Sequence, residues 1–191
     1  LSQALQDAGI NMKIKKIHHV AYRCKDAKET VGFYKDVLNM DLLLAIAEDQ
    51  VPSTKAPDPY IHIFLDAGQG NVLAFFEIPN SPPMGRDENT PSWVQHIAFD
   101  IGDMAELMAA KEHIEAAGLE VIGPTDHYLF KSIYFFDPNG HRLELCANVE
   151  RPGALEKLYG LAPEMVEEWS RTKRAPRHAA FMHEEEFSLE S

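Results

Sequence analysis

His19-Val20-Ala21-Tyr22-Arg23-Cys24-Lys25-Asp26 and His96-Ile97-Ala98-Phe99-Asp100-Ile101-Gly102-Asp103 are two versions of one pattern. Each opens on a histidine, then has alanine two residues on, an aromatic ring three on and aspartate seven on. Internal repetition is read first, because a duplicated unit folds the same way twice. Within each copy the side chains alternate as in a half-buried strand, and the closing aspartate stands where a helix N-cap belongs. Histidine is the commonest metal ligand. A fold that delivers one per copy can bring both to a shared centre.

Working outward, residues 15–79 form the first copy. Ile17 to Arg23 reads as a strand. Asp26 with Glu29 has the layout of a capping box. Val31, Phe33, Tyr34, Val37 and Leu38 follow at helical spacing. Met40–Ala45, Tyr60–Leu65 and Asn71–Ile78 read as strands, with a Pro-rich loop at Gln50–Pro59 and a turn at Asp66–Gly70. The order is β-α-β-β-β. Pro82, Pro83, Gly85 and Pro91 mark residues 80–92 as a linker.

Residues 93–149 repeat the order. Val94–Ile101 is a strand, and Asp103 caps a helix that stops at Gly118. Leu119–Ile122 is a strand. Ser132–Phe136 and Arg142–Cys146 make a hairpin over Asp137-Pro138-Asn139-Gly140. A Pro-Asn-Gly loop with left-handed glycine makes a bulged turn. That turn sets Asp137 against His141, and therefore Tyr134 against Glu144. Residues 150–191 hold a helix with the apolar stripe Leu155, Leu158, Leu161, Met165, Val166 and Trp169, then an acidic arm with Glu184-Glu185-Glu186. Residues 1–14 lack the basic-then-apolar layout of a signal peptide and read as a leader; Met12 is a candidate native start.

Composition narrows the partners. The chain has 191 residues, 45% hydrophobic, so a packed core is within reach. A net charge of -12 argues against nucleic acid and anionic membrane surfaces. It leaves a small-molecule substrate open. No apolar run approaches the ~20 residues of a membrane-spanning helix. Cys24 and Cys146 have none of the spacing of a disulfide scaffold, which points to a reducing cytoplasm.

Strand alternation sorts the faces. His19 shares a face with Ala21 and Arg23, His96 with Ala98 and Asp100, and Glu144 with Arg142 and Cys146. The apolar faces can pack under helices while the two histidines and the glutamate point into a more polar concavity. Two imidazoles and one carboxylate leave coordination positions open, as non-haem Fe(II) chemistry requires. A lone histidine would more often be core packing; the repeated pair with a matched glutamate favours ligands. Tyr134 reads equally as core aromatic or substrate donor. His18 reads as packing on the opposite face, and Glu77 as solvent-facing. His62, His113, His141, His178 and His183 read as surface residues, and the two cysteines as small buried hydrophobes.

The paired βαβββ copies, His-x-Ala-aromatic in each first strand and Asp-Pro-Asn-Gly-x-x-Leu-Glu-Leu at 137–145 resemble the vicinal oxygen chelate superfamily. That group includes glyoxalase I, extradiol ring-cleaving dioxygenases, methylmalonyl-CoA epimerase and antibiotic-resistance proteins. The resemblance covers residues 15–149. It implies an α+β fold of two tandem βαβββ modules cupped around a metal site, plus the C-terminal helix. It implies that His19, His96 and Glu144 are the metal ligands.

Glyoxalase-like members place Glu or Gln in a fourth slot. Counting Gly140 to Glu144 against Gly70 to Ala74 puts alanine there. Three ligands without the fourth is the extradiol pattern. Tyr134 falls where those enzymes keep a tyrosine that hydrogen-bonds a substrate oxygen. Their acid/base histidine positions are held here by Gly70 and Asn71, so His127 is the candidate in its place. The resemblance thus implies an extradiol-type dioxygenase acting on a small aromatic vicinal diol. Fe(II) is favoured, and Ni(II), Co(II), Zn(II) and Mn(II) are compatible. A homodimer with the C-terminal helix as a contact is expected. Two alternatives stand beside it. One is a glyoxalase-like lyase or epimerase/isomerase with the metal as Lewis acid and Glu77 or Glu144 moving the proton. The other is a non-enzymatic small-molecule binder of the resistance type.

Overall fold

A computed structural model describes residues 13–149 and 152–175. Leader residues 1–12, His178, His183 and the Glu184–Glu186 run lie outside the described residues. The chain divides into two compact units. One is Leu1–Asn89 with Asp137–Gly140; the other is Thr90–Phe136 with His141–Ser191.

In the first unit the elements are β1 (Val20–Cys24), α1 (Ala27–Leu38), β2 (Leu42–Gln50), β3 (Pro57–Asp66) and β4 (Val72–Glu77). They form a four-stranded sheet in the order β1-β4-β3-β2, with β1 parallel to β4 and the other pairs antiparallel. Period-two alternation sends Ile63 and Leu65 of β3, with Leu73 and Phe75 of β4, into the core, where all four are at most 2% exposed. Tyr34 of α1 is fully buried and its ring lies 5.1 Å from that of Phe75. Each such large side chain is worth about 1.5–3 kcal/mol when taken out of water. Asp26 accepts from the Glu29 N–H at 2.7 Å, half of the expected capping box.

The Asp137–Gly140 turn completes this unit through a buried polar cluster. Asn139 donates from Nδ2 to Asp137 Oδ2 at 2.9 Å and to Thr30 Oγ1 at 3.1 Å. Its Oδ1 accepts from the Lys25 N–H at 2.8 Å. The Tyr34 hydroxyl donates to Asp137 Oδ2 at 3.2 Å. Burial, reinforced by the Asp137 charge, pushes the Tyr34 pKa far up, so it stays a donor. Gly140 closes the turn at φ +90, a conformation other residues resist.

The second unit repeats the topology. Its elements are β5 (Ile97–Gly102), α2 (Met104–Ala116), β6 (Ile122–Asp126), β7 (Phe130–Phe136), β8 (Arg142–Asn148) and α3 (Ala154–Thr172). The sheet order is β5-β8-β7-β6. Asp103 and Glu106 make a full capping box on α2. Leu107, Ile114, Ile133, Phe135, Leu143 and Leu145 form the core. The fold class is α+β: two four-stranded mixed sheets with helices, and a C-terminal helix.

Several boundaries differ from the sequence expectation. β2 continues to Gln50 and β3 begins at Pro57, which shortens the expected loop to residues 51–56. β6 lies at Ile122–Asp126 rather than at 119–122; it is an edge strand, where Pro124 is tolerated. The stripe on α3 buries no residue, and Tyr159 is 85% exposed. No described helix is long and apolar enough to cross a membrane.

Candidate metal centre

Register builds the site in the second unit. β8 runs between β5 and β7, with Glu144 opposite Ala98 on one side and Tyr134 on the other. The hairpin pairing expected from the Pro-Asn-Gly turn is therefore the observed one. Glu144 is 2% exposed, so its carboxylate needs partners. Ser132 Oγ donates to Oε1 at 2.5 Å, and His96 Nε2 lies 2.9 Å from Oε2.

The other nitrogen of His96 decides the chemistry. Nδ1 stands 3.0 Å from the Val94 carbonyl oxygen, which can only accept, so the ring proton is assigned to Nδ1. In the neutral ring Nε2 then holds a lone pair that faces a carboxylate oxygen. Two acceptors that close need a proton or a cation between them. Two donors each about 2.1 Å from one ion, at right angles, would stand about 3 Å apart. The His96–Glu144 pair fits a divalent ion.

Tyr134 borders the pair. Its hydroxyl is 2.7 Å from His127 Nε2, and the Arg142 guanidinium lies 4.1 Å from its ring centroid. Burial first, then the Glu144 charge, raises its pKa, so the phenol stays protonated through neutral pH. Ser132, which sequence reading did not single out, shares this face two residues from Tyr134 and holds the Glu144 carboxylate.

His19 belongs to the first unit. Its Nδ1 is 2.8 Å from His18 Nδ1, and its ring lies 5.6 Å from Phe64 and 5.8 Å from His62. With Nδ1 engaged, Nε2 is left for a ligand, the same division as in His96. The expectation that His18 packs on the opposite face is corrected. β1 begins only at Val20, so alternation does not reach it. Among the described residues no group of three or more His, Cys, Asp or Glu side chains is gathered to hold a metal. The structure thus brings His96 and Glu144 together, and Tyr134 with His127, within the second unit.

Two further residues of the first unit bear on the site. Ala74 is buried opposite Ala21 and Phe64, and the His19 ring lies 5.6 Å from that of Phe64. Glu77 takes the other face and accepts from the Ala27 N–H at 2.7 Å, so it caps α1 rather than facing solvent. Glu77→Ala should therefore lower stability by about 1 kcal/mol in denaturant unfolding. Its metal content should be unchanged; loss of metal would place Glu77 among the ligands instead. His62, expected on the surface, is only 9% exposed and stacks at 3.6 Å on Phe76. Burial, then the charge of His19, lowers its pKa.

The profile of the Glyoxalase/Bleomycin resistance protein/Dioxygenase superfamily matches residues 16–145. The chain is 29% identical over 153 residues to the "Putative ring-cleaving dioxygenase MhqA" of Bacillus subtilis, covering 78% of this chain but 44% of that protein. It is 30% identical over 136 residues to the metallothiol transferase FosB of Staphylococcus epidermidis, covering 70% of this chain and 82% of that one. Among solved structures, a glyoxylase/bleomycin resistance protein/dioxygenase domain from Frankia sp. EAN1pec superposes with a TM-score of 0.57. That match, at 18% identity, spans 72% of this chain and 100% of the other, and shows the fold alone. The chain belongs to the Glyoxalase/Bleomycin resistance protein/Dioxygenase superfamily, the vicinal oxygen chelate group.

Proposed function

We propose that this chain is a metal-dependent ring-cleaving dioxygenase of extradiol type acting on a small aromatic vicinal diol. The observation that carries the reading is the His96–Glu144 pair, whose facing atoms at 2.9 Å are spaced as two ligands of one divalent ion, beside a protonated tyrosine. His19 is the third ligand in this reading. Ala74 in the fourth slot leaves positions open for substrate, and the aromatic face around His19 suits a flat ring. Bound Fe(II) would supply open positions for the diol oxygens and dioxygen, and the electrons exchanged between them. Ser132 fixes the ligand carboxylate. The Tyr134 hydroxyl donates to a substrate oxygen, and His127, 2.7 Å behind it, exchanges that proton. Both oxygen atoms enter the product as the ring opens next to the diol.

The test is oxygen uptake by metal-free protein reloaded anaerobically with Fe(II), across catechols and hydroquinones. Uptake matched to loss of the aromatic ring supports the reading; no uptake across the panel overturns it. Tyr134→Phe should lower kcat by ~10–1000-fold with KM little changed, as expected of a donor used most as charge develops. His127→Ala should also slow turnover. A second reading, redox-neutral transfer or isomerisation with the metal as Lewis acid, is favoured by one fact. The chain spans 82% of FosB but 44% of MhqA. Turnover with Ni(II), Co(II), Zn(II) or Mn(II) and without oxygen would select it.

A further inference from the structure

We propose that His62 is a specificity-determining residue, whose Nε2 hydrogen-bonds a further hydroxyl on an aromatic substrate ring lying beside His19. The proposal rests on the ring-cleavage reading, and the observations that carry it lie within the first unit.

Register places His62 of β3 opposite Phe76 of β4 and Ile46 of β2. It therefore shares the face of Phe64 and Ala74, and the His19 ring lies 5.8 Å from its own. On that face Tyr60, Phe64 and Phe76 are half-buried rings, with Phe64 4.0 Å and Phe76 3.6 Å from the His62 ring. Leu44 and Ile46, on the neighbouring strand, are 48% and 44% exposed. The surroundings of His62 are thus an apolar, largely aromatic wall.

Within that wall His62 is the exception. Its Nε2 is buried and has no hydrogen-bond partner. A buried ring nitrogen left unpaired is costly, and native chains satisfy nearly all such atoms. Packing alone does not call for it, since phenylalanine would stack on Phe76 equally well. A neutral imidazole donates from one nitrogen and accepts at the other, and a hydroxyl can do either. A hydroxyl therefore suits Nε2 in both tautomers. Phe64 and Phe76, whose rings flank it, are themselves half-buried, so the wall around His62 borders solvent.

The ligand class follows: an aromatic ring that lies on the wall near His19 and carries a third hydroxyl. A site built to bond a hydroxyl discriminates against the analogue lacking it, because its own polar atom is then left unpaired.

The experiment is anaerobic calorimetric titration of the Zn(II)-loaded full chain with catechol and with benzene-1,2,4-triol, so that the diol can chelate the metal while turnover plays no part. Wild type should bind the triol about 10-fold or more tighter than catechol. His62→Phe, which keeps the stack, should abolish the preference while leaving catechol affinity within about two-fold. His62→Gln, which restores a polar terminus, should recover part of the preference and covers the case in which His62→Phe fails to fold. Equal binding of both ligands by wild type overturns the proposal, as does a preference that survives in His62→Phe. In those two outcomes catechol still binds, and ring cleavage stands. Failure of wild type to bind either ring overturns His62 and the ring-cleavage reading together.

Discussion

His96→Ala is expected to weaken divalent metal binding by well over about 100-fold, beyond the loss typical of a group that merely supports a ligand. Glu144→Gln should do the same while keeping the bond from Ser132. The cause is local. His96 has its Nδ1 tied to Val94, so Nε2 is the only nitrogen it can offer, and that nitrogen already stands 2.9 Å from the carboxylate. The fold should survive, because His96 is exposed and outside the core. Metal content after dialysis, with circular dichroism as the fold control, checks this. Full metal retention in both variants would falsify the assignment. His18→Ala should cost less, about 10–100-fold in metal affinity, since it touches His19 rather than the ion.

The largest effect on stability is expected from Asn139→Ala. The side chain makes three hydrogen bonds, to the Lys25 N–H, Asp137 and Thr30, all inside the first unit. Truncation orphans the Lys25 N–H, at roughly 1–3 kcal/mol, and takes one bond each from Thr30 Oγ1 and from Asp137 Oδ2, which keeps the Tyr34 hydroxyl, at about 0.5–1.5 kcal/mol apiece. A total near 3 kcal/mol corresponds to a fall in Tm of about 6–12 °C for a chain of this size. Lys25→Ala is the control. It removes only an exposed contact to the Pro138 carbonyl and should shift stability by no more than about 0.5 kcal/mol. Comparable melting of both variants would show that the cluster does not hold the turn.

Much of this was legible in the residues. The repeated histidine pattern located both first strands, and the Pro-Asn-Gly turn alone fixed Tyr134 against Glu144, because loop length and turn type determine hairpin register. What escaped had identifiable causes. His18 was misplaced because alternation was carried into residues that precede the strand. His62 looked like a surface residue because histidine between isoleucines marks the polar side of a strand. Its parity with Tyr60 and Phe64 was the available signal that this side is aromatic rather than wet. Ser132 gave no signal on its own; its role depends on register across two strands. β6 was hidden by Pro124, which lowers strand propensity without forbidding an edge strand.

The Asp137–Gly140 turn has a consequence for how the chain is made. A nascent chain leaves the ribosome from its N-terminus, and domains usually fold in that order. Here Thr30 meets Asn139 across 109 residues, and Tyr34 meets Asp137 across 103. During synthesis the first half of the chain must wait, with the Tyr34 hydroxyl unpartnered, until most of the second half has emerged. Contacts of such long sequence separation slow folding. A fragment cut at the Asn89–Thr90 boundary would be left in the same unfinished state.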